Sequence, residues 1–176
     1  MLDIAVAYNN YTFLGNEFLT WIWYLIENDE KVIQQCGEDT LDLAVGNKMV
    51  LVNRWANGKE SITIKGDAVG LEEGLLALSK GALVTDISLI FKSGSLQWQF
   101  SIKGESLNFS GIKLPETAAA EQQEDMEGLI LDKLYLYEKP FQFIDALYRN
   151  FIVLRLSEGW NDTKSNMMKW IQTSVS

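Results

Sequence analysis

From Thr12 to Gln35 the apolar residues Leu14, Phe18, Trp21, Ile22, Leu25 and Ile26 recur at spacings of three and four, which predicts a helix with one broad apolar face. Trp23 and Tyr24 widen that face, so the helix belongs in a core or under a partner. Asn16 is its expected N-cap, Glu17 answers the positive end of the dipole, and Gly37 is the expected stop.

From Leu41 the period changes to two. Leu41 to Val45 reads as a short strand, Gly46-Asn47 as a tight turn, and Lys48 to Trp55 as a second strand that runs into the hairpin dipeptide Asn57-Gly58. Glu60 to Lys65 makes a third. Leu71 to Lys80 returns to helical spacing, with Glu72 and Glu73 in the first turn and Gly81 at the stop. Three more strands follow, Ala82 to Lys92, Ser95 to Lys103 and Ser106 to Ile112. In the middle one Leu96, Trp98, Phe100 and Ile102 alternate with Gln97, Gln99, Ser101 and Lys103, the pattern of a half-buried antiparallel strand. Pro115 to Glu127 breaks the pattern with acidic residues and alanines, and an acidic linker or helix entry is expected at about 116–127. A long helix bent at Pro140 is expected from Leu129 to Leu156. Asn161 or Asp162 is the expected cap of a last helix that buries Met167, Met168, Trp170 and Ile171.

The order predicts an α+β fold: an antiparallel β-sheet of about six strands, covered on one face by the N-terminal helix, a short middle helix and long C-terminal helices. The 176 residues suffice for a single domain over 1–176, and an apolar fraction of 47% supplies its core. The one cysteine, Cys36, cannot form an internal disulfide, which fits a reducing compartment. No apolar run reaches the roughly 18 residues that span a bilayer, and Met1-Leu2-Asp3 lacks a basic n-region, so a cytoplasmic location without membrane association is expected.

The absence of histidine excludes Ser-His-Asp and Cys-His nucleophile systems, and with one cysteine it leaves zinc without its usual ligands. Catalytic, cofactor-binding and metal residues are accordingly expected to be none. The weaker carboxylate options are Glu17 as a buried general acid and Asp42, Asp67 and Asp86 as magnesium ligands at strand ends. Cys36 follows an acidic helix end, a setting for an inert thiol. A net charge of −9 repels phosphate overall, so any nucleic-acid contact needs a local basic strip. Lys65, Lys103 and Lys113 near strand ends, with Arg149 and Arg155 on the long helix, are the candidates for contact with DNA or a partner. Lys92 stands near another strand end, and Trp55 and Trp98 are sequence neighbours of the sheet lysines, but Trp98 shares the apolar face of its strand and reads as core.

Two stretches carry a resemblance. Leu14-Gly15-Asn16-Glu17-Phe18-Leu19-Thr20-Trp21-Ile22-Trp23, together with Phe151 to Ser157 followed by Trp160 and Trp170, resembles bacterial proteins of the recombination-associated RdgC-like family. This chain looks like a short or divergent member. The resemblance implies a non-enzymatic protein of DNA recombination or DNA metabolism, dimeric or otherwise homo-oligomeric, whose partner is DNA or a recombination protein. Phe18, Trp21, Trp23, Phe151 and Trp160 are then expected in the core or at an interface. The alternative is a homo-oligomeric protein interaction module with no nucleic-acid role.

Overall fold

The computed structural model describes residues 4–37, 40–55, 58–66, 71–116 and 126–174; within them the side chains of 4–13, 54, 55 and 71 lie outside the description. The first helix, α1 (Ile4–Asn28), starts earlier than its sequence pattern suggests, and a one-turn helix, α2 (Glu30–Gln34), follows after Asp29. Asn16 is therefore mid-helix and caps nothing. Its carbonyl accepts from the Thr20 hydroxyl at 2.9 Å.

The sheet is built from β1 (Leu41–Trp55), β2 (Gly58–Lys65), β3 (Leu83–Ser93), β4 (Leu96–Lys103) and β5 (Phe109–Lys113), ordered β2-β1-β3-β4-β5 with every neighbour antiparallel. The α+β architecture is the expected one, with five strands instead of about six. The two strands predicted on either side of Gly46-Asn47 are one, because β3 pairs with both halves, Val45 opposite Leu89 and Met49 opposite Ile87. Four steps on β1 answer two on β3, so Gly46-Asn47 is a bulge and not a turn. Gly46 is required there: a Cβ would collide with the side chain of Ser88. Gln34 of α2 anchors the start of β1, its side-chain amide donating to the Leu41 carbonyl and accepting from the Leu41 N–H.

The remaining helices are α3 (Leu71–Ser79), α4 (Met126–Arg155) and α5 (Trp160–Thr173). α5 is preceded by Gly159 at the N-cap, so neither Asn161 nor Asp162 caps it. It buries Met167 and Trp170, leaves Ile171 half-buried, and leaves Met168 on the surface. Residues 117–125 of the expected acidic linker lie outside the described residues.

Alternation places the core. Leu41, Leu43, Met49, Leu51, Ile64, Ile87, Leu89, Phe91, Trp98, Phe100 and Ile102 are buried from one face of the sheet. α1 lies against β3 there and contributes Phe18, Leu19, Trp21, Ile22 and Trp23, all almost wholly buried. α4 closes the same layer through Phe143, whose ring stacks on Phe91 at 4.2 Å between centroids. The opposite face is polar on β2, β4 and the strand ends, while Ala44, Val50 and Val52 of β1 and Leu83 and Ile90 of β3 run an apolar stripe across it.

Candidate nucleic-acid interface

The make-up of that face is a direct consequence of register. On β2 Lys59, Ser61, Thr63 and Lys65 stand on the side away from the helices, as do Asp42 and Lys48 on β1 and Asp86 and Lys92 on β3. β4 adds Gln97, Gln99, Ser101 and Lys103, and β5 adds Ser110 and Lys113 opposite Ser101 and Gln99. β5 reaches Lys113 through a register shift at Gly111, whose φ of 61° suits a bulge that only glycine makes without strain. Among the described strand side chains six lysines thus share one face with two carboxylates, in a chain whose net charge is −9.

Two of the lysines are answered by an acid across the strand pair. Lys92 lies 3.5 Å from Asp42, and Lys103 stands directly opposite Asp86. Lys65, Lys103 and Lys113 are all exposed and all on this face, so three of the candidate contact residues are brought together. Lys48 belongs to the same group although its position in the sequence carried no signal; its place depends on the bulge at Gly46-Asn47 and on pairing with Lys65. The face presents no described aromatic side chain. Trp98 is buried on the other face, and the Trp55 side chain lies outside the described residues.

Arg149 and Arg155 stand elsewhere. Arg149 pairs with Asp145 one turn away on α4 at 2.8 Å. Arg155 bonds Glu17 of α1 at 2.9 Å and lies over the Trp160 ring, 5.0 Å from its centroid. Trp160 in turn meets Phe151 edge-on at 5.7 Å, and Phe151 packs on both Phe18 and Trp21. The two stretches that carry the resemblance therefore meet in space, as one joint between α1 and the end of α4. Glu17 is neither a first-turn residue nor an isolated acid; it is the partner of Arg155.

The carboxylate alternatives do not assemble. Asp42 lies opposite Lys92 and Asp86 opposite Val50, six residues apart along β3, or about 20 Å at strand rise. Asp67 lies outside the described residues. No group of three or more metal-ligating side chains occurs among the described residues, and no helix there is long and apolar enough to cross a membrane. Cys36 is half-buried on a shallow cleft of about 170 Å³ with Phe91, Lys139 and Phe143. Burial pushes its thiol pKa up, and the hydrogen bond from Asn150 pulls the other way. Compared with known proteins, the chain matches no family model and no curated protein.

Proposed function

We propose that this chain is a non-enzymatic, RdgC-like protein of DNA metabolism that acts by binding, and that the outer face of its sheet is the surface that meets nucleic acid. The observation that carries the reading is the segregation of charge: among the described strand residues Lys48, Lys59, Lys65, Lys92, Lys103 and Lys113 share one sheet face with Asp42 and Asp86. Counterion release by such a cluster supplies affinity for a phosphate backbone irrespective of sequence. On β2 and β4 serine, threonine and glutamine stand between the lysines, side chains that contact phosphate and sugar. With no described aromatic platform on the face, backbone contact to a duplex is favoured over base stacking on a single strand.

The test is fluorescence anisotropy of a labelled duplex at roughly 50 and 200 mM salt. Binding that weakens steeply with salt, and that falls in Lys65→Gln and Lys103→Gln, is the expected result. No binding at the lower salt would transfer the function to a protein partner.

A second reading has its own observation. The first half of α4 exposes Met126, Ile130, Leu131, Leu134, Tyr135 and Tyr137, each at 47% or more. Large apolar side chains exposed together along one helix suit a protein contact. Sedimentation of the purified chain distinguishes a homo-oligomer, which this face would build, from a monomer.

A further inference from the structure

Lys48 and Lys65 are register partners across the β1–β2 pair, on the same face of the sheet. Directly opposed residues in an antiparallel pair hold their Cβ atoms about 5 Å apart, and like charges in that arrangement repel. Both side chains are exposed, and neither makes an ion pair among the described residues. The local backbone holds them together: the Gly66 N–H at the end of β2 donates to the Asn47 carbonyl in the bulge at 3.2 Å. Lys92 and Lys103, by contrast, each have an aspartate across the ladder.

From this juxtaposition we infer that Lys48 and Lys65 form one two-lysine clamp for a phosphate group, the anchoring subsite of the sheet face. The inference rests on the nucleic-acid reading for the identity of the phosphate as a backbone phosphodiester. A dianionic or monoanionic oxygen cluster seated between the two ammonium groups converts their repulsion into two attractions. Lys92 gains less from the same ligand, because it must share its charge with Asp42. At the clamp the β2 terminus, the bulge and β1 are linked at the two lysines themselves.

Two measurements separate the clamp from the broader reading. In the first, the salt dependence of duplex binding is compared for the wild type, Lys48→Gln, Lys65→Gln, the double variant and Lys92→Gln. Each phosphate contact contributes about one to the logarithmic salt slope. The double variant is expected to lose about one from that slope, the single phosphate that the pair holds, and Lys92→Gln clearly less. Duplex binding with an unchanged slope in the double variant, or an equal loss in Lys92→Gln, overturns the clamp and leaves the sheet face as a diffuse binder. In the second, inorganic phosphate is titrated into the isotope-labelled chain and amide resonances are followed. Lys48 and Lys65 are expected to shift together and further than Lys92; equal shifts across the face remove the clamp. If phosphate moves the pair while the wild type ignores the duplex, the clamp stands and the nucleic-acid reading falls.

Discussion

The indole N–H of Trp98 on β4 donates to the carbonyl of Leu136 on α4 at 2.8 Å, fully buried. Four residues after Leu136 comes Pro140, which has no N–H to give that carbonyl. The helix therefore carries a proline in its interior at a place where the sheet supplies the missing donor. Trp98→Phe should cost about 1–3 kcal/mol for the orphaned carbonyl, with a further penalty for lost volume. The same change in a Pro140→Ala background should cost less, since an N–H is restored at position 140. Urea denaturation of the four proteins gives the coupling directly; strictly additive losses would remove the link.

Gly15 of α1 and Gly104, just after β4, pass so closely that a Cβ on Gly15 would fall inside the Gly104 carbonyl. The obstruction is backbone, and Gly104 is itself held by its N–H bond to the Thr85 carbonyl at 2.8 Å. Gly15→Ala should accordingly force α1 away from the sheet and cost about 3 kcal/mol or more, at the upper end of overpacking losses. Gly58→Ala is the control, because nothing lies within 4 Å of the added methyl. Thermal melts showing equal stability for both variants would mean that α1 crosses the β4 end elsewhere.

Much of this architecture is legible along the chain because helical and strand periodicities are local. Spacing marks Trp21, Phe18 and Phe151 as core or interface, and all three are at most 2% exposed. Gly46-Asn47 shows the limit. The same dipeptide serves a hairpin turn or a bulge, and only β3, forty residues on, decides between them. The start of α1 is missed for a related reason, since Asn16 and Glu17 look like an N-terminus while the helix runs on from Ile4. Pairings between distant residues are further out of reach: Arg155 finds Glu17 at a separation of 138 residues. The lysine face needs both kinds of information, alternation within strands and register between them.

Arg155 is expected to behave as a structural residue. Its ion pair with Glu17 is about one-third exposed on each side, so the charge contributes less than about 1 kcal/mol. Its guanidinium over Trp160 adds a comparable amount. Arg155→Ala should lower stability by about 1–2 kcal/mol in denaturant titrations and leave the duplex salt slope unchanged. Arg149→Ala, at a solvated intrahelical pair, should change neither quantity appreciably. A salt slope that drops in either variant would extend the binding surface from the sheet to α4.

The thiol of Cys36 donates to the Val32 carbonyl at 3.3 Å and accepts from the Asn150 amide at 3.5 Å. Its pKa is raised because burial disfavours the thiolate, an effect that the Asn150 contact only partly offsets. The unfolded chain therefore loses the proton first as pH climbs. The neutral thiol's contribution to stability is complete below the ordinary thiol pKa of about 8.5 and is lost as pH rises through the folded value. Two measurements check this. Alkylation by iodoacetamide at pH 8 should be slower for the native chain than for the chain in urea. Between pH 8 and 10 the wild type should lose more stability than Cys36→Ala, which has no proton to give up. Native labelling as fast as unfolded labelling, with parallel stability curves, would place Cys36 in open solvent.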